Sequence, residues 1–134
     1  MIETGMTLTQ DTIVTKEMTA AAIGGKDAVM ALGTPFLVGL CEDTAVKLMK
    51  PELEEGQGSV GTTLSINHKA PTPVGMKLSV TVTVTEVDRK RIEFDFVAKD
   101  EAEEVATGHH QRFIINNDKF LQGVNKKAAL VEKA

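Results

Sequence analysis

Glu42 is a carboxylate set where a helical pattern expects an apolar side chain. The segment TPFLVGLCEDTAVKLMK, from Thr34 to Lys50, repeats apolar residues at helical spacing. Three and four residues either side of Glu42 stand Val38, Gly39, Ala45 and Val46, all apolar or bare. The polar stripe runs elsewhere, through Asp43, Lys47 and Lys50. A carboxylate on a buried face costs free energy unless it is paired, hydrogen-bonded or protonated. One reading is chemical: burial raises its pKa towards use as a general acid or base, or it serves as a nucleophile. The other is structural: backbone amides or an Arg satisfy it.

Other side chains with chemical capacity lie to either side. Thr34 stands before Pro35 at the start of the helix pattern. Its hydroxyl reads as the helix N-cap, or as a group turned to a ligand beside an end that favours negative charge. His68 falls on the apolar side of a strand pattern. It is either a satisfied core histidine or a general base that orients water. Gly58 and Gly61 flank Ser59–Val60. Glycine inside a strand marks a turn, a bulge or a close backbone approach, and a free amide there can bind a developing oxyanion. His109, His110 and Arg112 sit in the last strand pattern, where alternation puts His110 and Arg112 on one face and His109 on the other. Adjacent histidines that point apart do not make a metal motif, so no metal is expected. Arg112 reads as a partner for Glu42, as a contact for an anionic ligand, or as a surface charge.

The elements that must position these residues follow from periodicity. Residues 7–16 form a first strand. Residues 17–25 form a loop with a short helical turn, and DAVMAL, from Asp27, forms another turn ending at Gly33. The long helix covers Thr34 to Lys50, apolar on most sides, and stops at Pro51. After a turn at Glu54–Gly58 the period changes to two. Thr62, Leu64, Ile66 and His68 share one face of a strand closed by Pro71 and Pro73. Further strands place Leu78, Val80, Val82 and Val84, then Ile92, Phe94, Phe96 and Ala98, inward, and a last strand runs from Val105 to Ile115. The Lys-rich tail from Asn116 has helical character. One long helix on one face of an antiparallel sheet is an α+β layer. Such a layer leaves an edge and a face open, which predicts a homodimer or a dimer of dimers.

Composition narrows the function class. At 134 residues the chain reads as one domain, residues 1–134, able to bury roughly 65–70% of its unfolded surface. With no Trp, no Tyr and a net charge of −4, it lacks stacking platforms and repels phosphate, so nucleic-acid binding is not expected. The single cysteine, Cys41, excludes an intramolecular disulfide. No apolar run approaches the ~20 residues of a membrane span, and MIETGMTLTQ has no signal-peptide pattern, so the expected location is cytoplasmic.

TPFLVGLCE and GSVGTTLSINHKAPTPVG resemble the hotdog-fold thioesterases, and within them the fluoroacetyl-CoA thioesterase-like family. That family's Thr, its Glu eight residues on and its His twenty-six beyond are matched by Thr34, Glu42 and His68. The GS-x-G-T glycine corresponds to Gly61, HxAxTPxG is met from His68 to Gly75, and GxHxR is met by Gly108, His110 and Arg112. The resemblance runs from about Gly33 to Phe120. It implies a hotdog fold and an acyl-CoA thioesterase. Thr34, Glu42 and His68 would be the catalytic group, Gly61 the oxyanion donor, and His110 and Arg112 substrate contacts. Coenzyme A would arrive in the substrate rather than as a cofactor. The family's fluoroacetyl-specific enzyme has Phe residues in a lid before the helix, but here that stretch, AAIGGKDAVMALG, has no aromatic. The resemblance therefore does not extend to fluoroacetyl-CoA as substrate. A non-hydrolytic acyl-CoA or metabolite-binding protein is the alternative. A hydratase is disfavoured because the helix has no His.

Overall fold

The computed structural model describes residues 1–25 and 27–131. Strict alternation of apolar and polar residues makes the strands. β3 (Lys77–Asp88) turns Leu78, Val80, Val82 and Val84 inward, and β4 (Arg91–Asp100) does the same with Ile92, Phe94, Phe96 and Ala98, all buried. Arg89, in the left-handed region at φ 59°, closes the tight turn between them. β1 (Thr7–Ile13), β2 (Gln57–His68) and β5 (Glu104–Asn116) complete one antiparallel sheet in the order β1-β3-β4-β5-β2. Thus β1 and β2 are the edges.

α2 (Thr34–Met49) lies across the inward face, burying Leu37, Cys41, Thr44, Ala45, Leu48 and Met49. Full burial of one large aliphatic side chain is worth about 1.5–3 kcal/mol, so packing rather than propensity holds the helix. The helix is less enclosed than its pattern suggests. Gly39 and Val46 are exposed, while Val38 and Glu42 are half-buried, so a stripe from Val38 through Glu42 to Val46 stays open. The fold is the expected α+β layer.

Several boundaries differ from the sequence reading. β1 stops at Ile13 rather than at residue 16. α1 (Ala20–Gly24) is the short helical turn expected before residue 25. The turn expected from Asp27 is not helical, because its backbone groups bond distant segments. Ala31 bridges Pro73, Leu32 bridges Thr19, and the Leu32 amide donates to the Thr72 carbonyl at 2.9 Å. β2 begins at Gln57, inside the turn expected over Glu54–Gly58; Gly56 makes the turn at φ 82°, and Gly58 is already strand. α3 (Asn117–Ala128) takes the Lys-rich tail, with the Asn116 side chain accepting from the Lys119 amide at 3.0 Å. No described helix is long and apolar enough to cross a membrane.

β2 also carries a bulge. Gly61 pairs with Arg112 and Thr63 with Gln111, leaving Thr62 unmatched. The extra residue shifts side-chain parity. Gly61 faces the helix before the bulge, and Leu64, Ile66 and His68 face it afterwards. Thr62, which simple alternation from His68 would turn inward, is exposed.

Candidate active site

Thr34 is the first residue of α2, and Gly33 rather than Thr34 is the N-cap, with extended φ −80° and ψ 141°. The Gly33 carbonyl accepts from the Phe36 and Leu37 amides. Pro35 then sits at the second helical position, still within the first turn where no amide donor is required. Released from capping, the Thr34 hydroxyl lies 2.8 Å from Nδ1 of His68 and shares a hydrogen bond with it. His68 reaches it from the last residue of β2. The other ring nitrogen, Nε2, is buried and has no hydrogen-bond partner among the described residues. His68 is thus not a core histidine satisfied at both nitrogens. An orphaned buried nitrogen is costly, and such atoms cluster where chemistry uses them.

Glu42 lies two turns further along α2, and its side chain is 42% exposed. The full burial expected from the helix pattern is therefore absent in the single chain. Its partner is Arg112, whose Nη1 donates to Oε2 at 3.2 Å. Arg112 itself is buried. Its Nε donates to Ser59 Oγ at 2.9 Å and its Nη2 to the Ser59 carbonyl at 3.0 Å. His110 extends the network. Nδ1 donates to the Thr63 carbonyl at 2.8 Å, so Nε2 is left as an acceptor for Arg112 Nη1 at 3.2 Å. Desolvation is the main cause that lowers the pKa of both His110 and Arg112. Phe94 stacks on the His110 ring, centroids 6.0 Å apart. Both residues spend their polar atoms inside the protein, where they aim the Glu42 carboxylate. Ser59, which holds Arg112, was not singled out as a site residue; its sequence signal is its place as the Ser of GS-x-G-T, two residues before Gly61 on β2.

Gly61 completes this group. A Cβ built there would lie 2.8 Å from Glu42 Oε2 and 3.2 Å from both Arg112 Nη1 and His110 Cε1. Only a bare backbone lets the carboxylate lie so close to the strand.

Two clusters result: Thr34 with His68, and Glu42 with Gly61, Arg112 and His110. Eight residues of helix separate Thr34 from Glu42, which is about 12 Å along the axis. The chain on its own therefore does not bring the three sequence-matched residues into contact. His109 faces the other side of the sheet, as alternation required, and bonds Asp95 and Glu93, each at 2.8 Å. Cys41, beside Glu42 in the chain, is buried, and desolvation pushes its thiol up to about 12.

Comparison with known proteins bears on the family and the fold. The model of the fluoroacetyl-CoA-specific thioesterase family matches residues 14–118. The fluoroacetyl-CoA thioesterase of Streptantibioticus cattleyicolor is 38% identical over 94 residues, covering 70% of this chain and 68% of that one. A crystal structure of an alanine mutant of the fluoroacetyl-CoA-specific thioesterase FlK superposes with a TM-score of 0.90 at 32% identity, covering 94% of this chain and 97% of that chain. A thioesterase superfamily member from Thermus thermophilus, 22% identical over 99% of this chain and 98% of its own, shares the fold with a TM-score of 0.91. The matched sequence, the five-stranded sheet with its crossing helix and the paired Thr34 and His68 lead to one assignment: the chain belongs to the fluoroacetyl-CoA-specific thioesterase family of the hotdog-fold acyl-CoA thioesterases.

Proposed function

We propose that this thioester hydrolase cleaves a small acyl-CoA at a site shared by two copies of the chain. Thr34 and His68 come from one copy, Glu42 and Gly61 from the other. β2 is a long edge strand with neither Pro nor a formal charge from Gln57 to Asn67, so nothing blunts it against pairing. Residues 61 and 68 lie equally far from the midpoint between Leu64 and Ser65. Antiparallel pairing of β2 with its copy about that midpoint sets His68 opposite the partner subunit's Gly61. The same approach covers the open stripe from Val38 to Val46. A homodimer, alone or doubled, follows.

In this arrangement the thioester carbonyl oxygen accepts a hydrogen bond from the Gly61 amide, which stabilises the developing oxyanion. Thr34 holds His68 through Nδ1–H, leaving Nε2 as the base. Glu42 positions the water whose proton Nε2 takes, or attacks the carbonyl itself to give a mixed anhydride that water then opens. By the water route the carbon–sulfur bond breaks as the imidazolium hands its proton to the sulfur. By the anhydride route the thiolate is expelled first and is protonated by the imidazolium formed when Nε2 deprotonates the opening water. In both, a carboxylic acid and coenzyme A leave. His110 and Arg112 serve the substrate by fixing Glu42. Coenzyme A is part of the substrate, and such a substrate fits a cytoplasmic enzyme. The observation that carries this reading is the Thr34–His68 hydrogen bond, which leaves Nε2 as the working nitrogen.

Thiol release from acetyl-, fluoroacetyl-, butyryl- and hexanoyl-CoA tests it. Turnover of at least one substrate is expected, with kcat/KM at least ~10²-fold lower in His68→Ala. No thiol release from any of them would leave the non-hydrolytic alternative in its place.

A further inference from the structure

Beside His68 lies a groove of about 260 Å³, walled by Ala20, Val29, Ala31, Leu32 and Ala70. Lys69 also borders it, but its ammonium is paired with Glu104. Among the described residues the lining has no Phe, Tyr or Trp and, apart from His68 and Lys69, no polar side chain. Its walls are fixed by backbone hydrogen bonds. The Ala20 amide donates to the Ala31 carbonyl at 2.8 Å, and the Ala21 amide to the Val29 carbonyl at 3.0 Å. The Gly33 amide donates to the Met18 carbonyl at 2.8 Å. Val29 is nonetheless 68% exposed, and Ile23 and Met30, on the same two segments, are exposed as well. Exposed apolar side chains around a preformed groove that ends at a titratable group point to an apolar ligand with its reacting end at that group.

We infer that this groove receives the acyl chain, and that the preferred substrate carries a plain aliphatic acyl group of about four to six carbons. One water needs only about 10–15 Å³ of such space, so about 260 Å³ has room for several non-hydrogen atoms. That suffices for such a chain with its carbonyl against His68, and is more than a two-carbon group needs. A lining of methyl groups offers no ring edge or dipole to single out a carbon–fluorine bond. The inference rests on His68 being the reacting end of the site.

Binding of non-hydrolysable S-alkyl-CoA thioethers tests the groove without requiring turnover. A fully buried methylene is worth about fourfold in affinity, and one in a half-open groove about twofold. S-hexyl-CoA should therefore bind roughly 16-fold tighter than S-ethyl-CoA by calorimetry. Val29→Asp places a charge at an exposed groove position without disturbing the core, and should erase that gain, bringing the ratio of the two affinities to about one. Equal binding of the two thioethers, no binding of either, or a gain that survives Val29→Asp overturns the inference. Thiol release is read separately. Chain-length-dependent binding without turnover would remove the hydrolytic reading and keep the groove; turnover without chain-length dependence would do the reverse.

Discussion

Thr34 shows how one residue's placement separates two roles. Because Gly33 is the N-cap, Thr34→Ala should cost less than the ~1 kcal/mol typical of a lost cap, while turnover falls because His68 loses its Nδ1 partner. Thr34→Ser should keep both. Melting temperature and kcat on the two variants decide between the roles. Glu42→Gln keeps an oxygen to accept from Arg112 and removes the charge. With the carboxylate 42% exposed, the loss of the ion pair should cost under ~1 kcal/mol, whereas kcat should fall at least ~10²-fold. A destabilised but fully active variant would make Glu42 a purely structural partner of Arg112. His110 gives a pH signature. Burial lowers its folded pKa below 6.5, with the Arg112 and His109 charges adding to the shift and Glu42 opposing it. The neutral form is therefore the one the fold prefers. Its contribution to stability is complete above pH 6.5 and is lost as pH falls through the lower folded value. Urea titrations between pH 7.5 and 5 should show this slope in the wild type and a flatter one in His110→Gln. At this scale the candidate residues were legible, because each was an ionisable or hydroxyl side chain on an apolar face. Their partners were not, because Ser59 and the Thr63 carbonyl meet Arg112 and His110 only through strand pairing.

Among the elements, β2 carries the most information and was read least fully. The inward alternation of β3 and β4 was plain because each strand has one apolar face, and register is tightly specified where one face is buried. The start of β2 was hidden by three glycines, and its bulge reversed the expected direction of Thr62. Residues 27–32 were misread for a related reason. Short apolar runs do not reveal whether backbone groups bond locally or to a distant strand, and here they bond Thr19, Thr72 and Pro73. The bulge makes its own prediction. In Gly61→Ala the new methyl meets the far end of the Glu42 side chain, which can swing away cheaply. Stability should change by less than ~1 kcal/mol, while kcat/KM drops at least ~10-fold because the carboxylate has moved. A variant with wild-type turnover would show that Glu42 does not need its seat against the strand.

For the whole molecule, the proposed sharing of the site, with Thr34–His68 apart from Glu42–Gly61, would make catalysis depend on assembly. Light scattering should give a multiple of the 14.4 kDa chain at micromolar concentration. A mixing experiment reads the sharing of sites directly. His68→Ala and Glu42→Gln should each be nearly inactive alone, whereas in the proposed arrangement a mixed dimer holds one site with both groups intact. After equal mixing and subunit exchange, about a quarter of wild-type activity should return, since half of the dimers are mixed and each has one good site of two. No recovery would place the whole site within one chain. An open sheet edge was foreseen from the lone sheet, but not that β2 forms it, nor that Thr34–His68 stands apart from Glu42–Gly61, because helical rise becomes a distance only once both ends are located.

The buried thiol of Cys41, held neutral by a pKa of about 12, has a practical consequence. A thiol-trapping dye added to the folded enzyme will count released coenzyme A alone, with no background from the protein. In denaturant the same dye will titrate one further equivalent per chain as the core opens. The enzyme therefore carries its own label for the moment when α2 leaves the sheet, and the rate of that labelling measures how often the native packing around the active site comes apart.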